Sequence, residues 1–193
     1  MVTPSDIAGQ RRCPQCGVVT LSSICASDGT TTLVMTGFER DALSYQAGDV
    51  IGDRYRIGGI LGRGGFGAVY AAEHIGTKQP VAVKMLTADP TADGSQVVRR
   101  FFREARITAS LKSRHTVRVF DVGQSDEGTL FQAMERLDGP DLESVLRLLR
   151  GAGKTMSQDV AVEIGLQVLD SLAEAHRHGL VHRDLKPANI ILA

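Results

Sequence analysis

Between Tyr55 and Glu135 the chain alternates short apolar runs with turn residues, the period-2 texture of half-buried strands. "YRIGGILGRGGFGAVYAAEH" (55–74) sets two such runs around a glycine cluster, and Pro80 opens a third, "PVAVKML". The period then changes. In "SQVVRRFFREARITASLKS" (95–113), Phe101, Ala105, Thr108 and Ala109, continuing to Leu111, mark an apolar helical face opposite arginines, with Ser95 as the candidate N-cap. Val117, Val119 and Val122 alternate again, "SDEG" is turn chemistry, and "TLFQAME" returns, so a hairpin is predicted. Beyond residue 135 the pattern is helical. "DLESVLRLLRGAG" reads as a short amphipathic helix stopped by glycine, and "SQDVAVEIGLQVLDSLAEAHRHG" as a long one stopped at Gly179. Val160, Ile164, Val168 and Leu172 form a stripe bordered by Leu169, Ala173 and His176, wide enough to predict burial around much of that helix. Residues 34–54 have no clear period and read as a linker, and no internal repeat is visible.

Composition narrows the class. A chain of 193 residues accommodates one domain plus a small module. Lys and Arg number 22, as do Asp and Glu, so no net field attracts nucleic acid or an anionic membrane, even with Arg11 and Arg12 side by side. No apolar run approaches the roughly 18–20 residues of a membrane span, and the N-terminus lacks a signal-peptide core. A cytoplasmic chain is expected, with an anchor beyond residue 193 left open.

Three cysteines cluster near the start, two of them in "CPQCG". An odd number does not make a secreted disulfide framework, and no βαβ pattern follows to support a redox Cys-x-x-Cys. The alternative is a structural zinc site. Cys13 and Cys16 would come from one tight turn, and the partner hairpin, "CASDGT", would supply Cys25, with Asp28 either the fourth ligand or only the opener of an Asp-Gly turn.

The glycine cluster leads into a strand rather than a helix, which argues against a dinucleotide-binding βαβ unit and against a P-loop. Gly62, Gly64 and Gly67 match Gly-x-Gly-x-x-Gly with Val69 two residues on, a pattern that lets backbone amides approach phosphates. Lys84 ends "VAVK", and Glu104, the only acid in the central turns of the helix that follows, is either its partner or a solvated partner of Arg100 or Arg103.

"HRDLKPAN" (182–189) makes the pattern specific. With the glycine hairpin, Val-Ala-Val-Lys and Glu104 in order before it, the chain over 50–193 resembles the bacterial eukaryotic-like (Hanks-type) serine/threonine protein kinases. The short ribbon ahead of it resembles the zinc ribbons that precede some of them. The resemblance implies an α+β protein-kinase-like fold: a zinc-ribbon-like module (1–36), a linker (37–54), a complete N-lobe of antiparallel sheet plus one helix (55–134), then hinge and partial helical C-lobe (135–193). It implies ATP and Mg²⁺ as cofactors, with Zn²⁺ in the ribbon, and protein Ser/Thr hydroxyls as substrates. Asp184 would orient the substrate hydroxyl, Lys186 would offset charge on the γ-phosphate, and Lys84 would hold phosphates with Glu104. Asn189 would hold the metal. Leu61, Val69, Ala82 and Ile191 would enclose the adenine, and Met134 would guard the back of its pocket. Glu135 and Leu137 would bond the adenine through the backbone, and Asp141 would contact the ribose. His182 would scaffold the loop, and Arg183 would hold a phosphorylated activation loop. The family's Asp-Phe-Gly metal site does not occur by residue 193, so the expectation is a truncated chain, inactive on its own. A nucleotide-binding pseudokinase or a ribbon-mediated interaction fragment are the alternatives.

Overall fold

The computed structural model describes residues 10–30, 32–34, 42–64, 67–86, 94–125 and 127–193, with the side chains of 94–100 outside that description. The chain divides into two compact units: residues up to Arg106 with Val119–Glu135, and Ile107–Arg118 with Arg136–Ala193.

In the first unit the strands are β1 (Arg11–Arg12), β2 (Val19–Thr20), β3 (Leu33–Val34), β4 (Val50–Ile51), β5 (Tyr55–Gly64), β6 (Gly67–His74), β7 (Pro80–Leu86), β8 (Val119–Gln124) and β9 (Leu130–Glu135). A small sheet has the order β2-β1-β3, and a six-stranded sheet the order β4-β5-β6-β7-β9-β8. Every pairing is antiparallel. The predicted hairpins are therefore present. Helix α1 (Gly94–Ser110) includes Ser95, which the sequence placed as the N-cap just outside it.

Opposed residues share a sheet face, so the register sorts side chains into two sets. One set, Ala68, Tyr70 and Ala72 with Val81, Val83, Met85, Phe131 and Ala133, forms the main core together with Ile51, Tyr55 and Ile57. Phe131, Met85 and Val83 are fully buried, each contributing roughly 1.5–3 kcal/mol by removal from water. The other set includes Leu86 and Leu130, on which α1 lays Phe101 and Phe102.

The stretch read as a linker is anchored instead. Ala42 and Tyr45 join the main core, and Val50–Ile51 adds an edge strand. Tyr70 donates to the Ala42 carbonyl at 2.9 Å, and the Tyr45 and Tyr70 rings meet edge-on at 6.3 Å. Three anchors spaced without period leave no pattern to read. Residues 35–41, and 1–9 of the ribbon-like module, lie outside the described residues.

The second unit holds α2 (Leu142–Gly151) and α3 (Gln158–Arg177). Both end as the glycines predict. Gly153 and Lys154 donate to the Arg150 and Leu149 carbonyls, and Gly179 and Leu180 to those of His176 and Ala175, the paired bonds of a Schellman ending. Predicted burial around α3 is not found among the described residues. Val160 and Leu169 are 48% and 61% exposed, Ile164, Val168 and Leu172 are half-buried, and Ala175 is the one buried residue of the helix. No helix among the described residues is long and apolar enough to cross a membrane.

Gly67 is a test of the sheet. Its φ is +129°, and a Cβ there would lie 1.9 Å from the Met85 carbonyl oxygen, whereas one on Gly62 meets nothing within 4 Å. Gly67→Ala should therefore cost roughly 2–4 kcal/mol in urea unfolding, and Gly62→Ala should stay within about 1 kcal/mol of wild type. Equal effects from the two would refute this account of the hairpin.

Candidate functional site

Strand β7 contributes Ala82, Lys84 and Leu86 to the face opposite the main core. Lys84 pairs with Val69 on one side and Gln132 on the other, and Ala82 with Ala71 and Met134. Val69, Ala82, Lys84 and Met134 thus lie together on one face, with Lys84 half-buried. Gly62 pairs with Val69, so it borders the same face with open space above it. Gly64 opposes Gly67 across the mouth of the hairpin, again with open space at its Cβ position. The fold itself requires Gly67, but its packing gives no reason for glycine at 62 and 64. A ligand needing close backbone approach supplies one. Leu61 is exposed on β5, and Glu135 closes β9 opposite Val81. Glu104 is half-buried on α1, in the same unit as Lys84, one residue before the buried Ala105. The Arg100 side chain, an alternative partner, lies outside the described residues.

The second unit gathers Leu137, Asp141, Asp184, Lys186, Asn189 and Ile191. Its loop is built by its own hydrogen bonds. Arg183 has φ +63°, a left-handed conformation that costs a non-glycine residue roughly 1–3 kcal/mol and turns the chain immediately before Asp184. The Asp184 amide donates to the His182 carbonyl at 2.9 Å, and Pro187–Asn189 form a single 3₁₀ turn. Lys186 Nζ lies 3.0 Å from Asp184 Oδ2. Asn189 Nδ2 donates to the same oxygen at 3.1 Å and to the Asp184 carbonyl at 2.7 Å. Lys186 first, then Asn189, hold the Asp184 carboxyl below its ordinary value. With its amide nitrogen committed, Asn189 has Oδ1 left to meet a hard cation, and that donor chemistry suits Mg²⁺.

Asp141 is first of all a helix cap. Its Oδ1 accepts from the Ser144 amide at 2.8 Å and its Oδ2 from the Ser144 hydroxyl at 2.7 Å, and these two bonds hold the carboxyl below its ordinary value. Its backbone bridges to Ile191, the Leu142 amide donates to the Ile190 carbonyl, and the Leu192 amide to that of Pro140. Residues 190–192 thereby tie the segment after the loop to the start of α2. Sequence reading missed Glu174, whose carboxylate receives the Lys112 and Ser113 amides at 2.7–3.0 Å. Nothing in a solvent-facing helical Glu signals such a role.

The cysteines form two matching turns, an internal repeat that was invisible as sequence. Cys13 N bonds Val18 O and Gly17 N bonds Cys13 O; Cys25 N bonds Thr30 O and Gly29 N bonds Cys25 O. Gly17 and Gly29 have φ of +79° and +68°. Asp28 therefore occupies in the second turn the place of Cys16 in the first. The three Sγ atoms and an Asp28 oxygen all lie within 4.8 Å of one another, with Cys16 and Cys25 Sγ at 3.5 Å and Cys13 Sγ 3.3 Å from Asp28 Oδ2. A tetrahedral zinc with bonds near 2.3 Å spaces its sulfurs by about 3.8 Å, so the set fits that ion with little movement. Asp28 also receives the Thr30 amide at 2.9 Å, the bond that most lowers its carboxyl, so it opens its turn while facing the cluster. The Val18 amide pulls the Cys16 thiol down, but desolvation and the neighbouring Cys25, Cys13 and Asp28 push it up to about 12. Desolvation raises the Cys13 thiol, yet the Cys16 and Gln15 amides outweigh it and lower the thiol overall.

Residues 55–193 match the protein kinase domain family. Serine/threonine-protein kinase PknH of Mycobacterium tuberculosis (strain ATCC 25618 / H37Rv) is 40% identical over 153 residues, covering 79% of this chain and 23% of that protein. Serine/threonine-protein kinase pkn3 of Myxococcus xanthus is 36% identical over 145 residues, 75% of this chain and 26% of its own length. The chain thus spans about a quarter of the curated relatives it matches. The crystal structure of the Mycobacterium tuberculosis PknI kinase domain aligns with a TM-score of 0.67 at 30% identity, covering 78% of this chain and 60% of that one.

Carboxylates held ionised by bonds of the folded state stabilise it above the ordinary carboxyl range, and this contribution is lost as pH falls through their lowered pKa values. Carbon-detected NMR titration should find the Asp141 and Asp184 midpoints below 3.8 and that of Glu174 below 4.5. Lys186→Met should move the Asp184 midpoint back up. No movement would remove Lys186 as the cause.

Proposed function

We propose, from the premise that this chain belongs to the protein kinase domain family, that it carries the nucleotide-cradling sheet and catalytic loop of an enzyme transferring phosphate from ATP to protein Ser or Thr hydroxyls. The observation that carries this reading is the Asp184 carboxylate, ionised and fixed by Lys186 and Asn189 on a strained turn. A carboxylate with a lowered pKa is a weak base. Its work is to accept a hydrogen bond from the substrate hydroxyl and align its oxygen, and proton transfer follows as the bond to phosphorus forms. Lys186, 3.0 Å from that carboxylate, is placed to offset charge on the transferring group. In the sheet, Lys84 would hold the phosphates and Glu104 would hold Lys84. Val69, Ala82 and Met134, on the face of Lys84, would meet the adenine together with Leu61. Ile191 of the second unit would add an apolar contact to it. Glu135 and Leu137 would offer it backbone bonds. Asp141 would reach the ribose with the lone pairs its capping bonds leave. Asn189 Oδ1 would hold magnesium, which neutralises charge on the phosphates when bound.

Residues 10–34 support a second reading: Cys13, Cys16, Cys25 and Asp28 hold a structural zinc. The duplicated turn carries it: the two turns bring four donor atoms within 4.8 Å of one another in a module too small to close on a core of its own.

Two experiments test these readings. In the full-length protein, Lys84→Met and Glu104→Ala should each cut phosphotransfer to a Ser/Thr peptide by roughly 10²-fold or more at unchanged thermal midpoint. Retained activity would show that the pair is misassigned, and nucleotide binding without any transfer in the wild type would favour a pseudokinase. Protein made under reducing conditions with zinc supplied should keep about one zinc per chain after dialysis. Cobalt exchanged into the site should show the visible absorption of a tetrahedral thiolate complex, lost in Cys25→Ser. Metal analysis without zinc would sink the second reading.

A further inference from the structure

Residues 10–34 are joined to helix α1 by more than chain connectivity. Leu33 of β3, 5% exposed, packs in one cluster with Phe101 and Phe102 of α1 and Leu130 of β9. The Val34 amide donates to Gln124 Oε1 at 2.8 Å, and Gln124 Nε2 donates back to the Val34 carbonyl at 3.3 Å, fixing β3 to β8. Gln15, between the two cysteines of the first turn, accepts through Oε1 from Arg106 of α1 and from the Thr30 hydroxyl of the second turn. One side chain thus touches both halves of the cysteine cluster and the helix.

The path from cluster to helix is short. Cys13 directly follows β1, whose register with β3 sets Arg12 opposite Leu33. Among the described residues 10–34 the buried side chains are Cys13, Pro14, Cys25, Thr32 and Leu33, so the one large aliphatic among them is spent on α1 rather than on a core of the module's own. A module without a core keeps its shape only if something else closes it. On α1, Glu104 falls between Phe102 and Arg106, within one helical turn of both anchors, so a shift or rotation at those residues moves Glu104 equally.

Resting on the readings of Cys13, Cys16, Cys25 and Asp28 as a zinc site and of Lys84 and Glu104 as a phosphate-holding pair, we propose that Leu33 and Gln15 are positioning residues for phosphotransfer. The closed module clamps α1 at the rotation that sets Glu104 toward Lys84, and metal occupancy is thereby felt at the nucleotide.

The test uses the full-length protein and three readouts: zinc content, hydrogen exchange of the 101–110 amides, and kcat and KM for ATP. Leu33→Ala should keep its zinc, speed exchange in that segment by roughly threefold or more, and lower kcat by a similar factor per folded molecule. Leu33→Met should restore both. Chelating the zinc of the wild type should reproduce the exchange change, and in Leu33→Ala it should add little. The deciding comparison is a double-mutant cycle: in a Glu104→Ala background Leu33→Ala should lower kcat no further, because its effect runs through Glu104. Full additivity, or unchanged 101–110 exchange in a zinc-loaded Leu33→Ala protein, overturns the clamp. A wild-type protein without zinc instead overturns the metal reading and the metal dependence with it. Activity surviving Lys84→Met overturns the assignment of the pair, while the exchange data still decide whether α1 is clamped.

Discussion

Strand β7 lies between β6 and β9 and must satisfy two surfaces at once, because successive side chains point to opposite faces. Val81, Val83 and Met85 go to the main core. Ala82, Lys84 and Leu86 are left for the other face, where Leu86 meets the cluster under α1 and Ala82 is small enough to leave room. Lys84 lies between them. A lysine so placed is half-buried yet has to keep its ammonium hydrated or paired, so the sheet holds a cation at a fixed height beside a surface made of small side chains and glycine. A one-residue slip in β7 would send Lys84 into the core and Val83 out. The registers with β6 and β9, run over five or more residues each, prevent that slip.

Helix α1 then covers only part of that face. Phe101 and Phe102 fix one end of it over Leu86 and Leu130, and the small sheet of residues 10–34 wedges Leu33 into the same cluster. Toward Ala82 and Met134 the second face passes beyond that cluster. Lys84 thus lies between that packed end and the end where Ala82 opposes Met134.

Much of this was legible in the sequence because local signals carried it. The hairpins followed from period-2 runs broken by glycine, both helix endings from Gly153 and Gly179, and the loop from seven fixed residue types in "HRDLKPAN". What stayed hidden was long-range. Tyr45 is buried because Tyr70, 25 positions later, presents its ring, and no pattern within residues 42–51 says so. The second cysteine turn repeats the first in backbone bonds while sharing only Cys-x-x-x-Gly, since an aspartate stands where the first has a thiol. Leu33 opens the brief run Leu-Val-Met after three threonines, too short for periodicity to mark one of its residues as core. The stripe of α3 errs in the opposite direction: its pattern states what the helix is suited to bury, and the described residues leave Val160 exposed and cover Ile164, Val168 and Leu172 only in part.

The loop over residues 182–189 depends on a constraint far simpler than its motif. A Cβ on Gly139 would lie 2.1 Å from the Leu192 carbonyl oxygen, closer than any real contact, so the two backbones approach as only glycine permits. That approach allows the Leu192 amide to reach the Pro140 carbonyl and the Leu142 amide to reach the Ile190 carbonyl. Those bonds hold the segment leaving Asn189, while the 3₁₀ turn and Asp184 hold the segment entering it. Pinned at both ends, the loop has little freedom to relieve the left-handed turn at Arg183, and the strain persists where the surrounding bonds over-determine it. Asp184 is thereby presented at a fixed angle by backbone geometry, before any ion pair is formed. Lys186 and Asn189 then hold its carboxylate oxygen, and the Gly139 approach fixes the backbone that carries it.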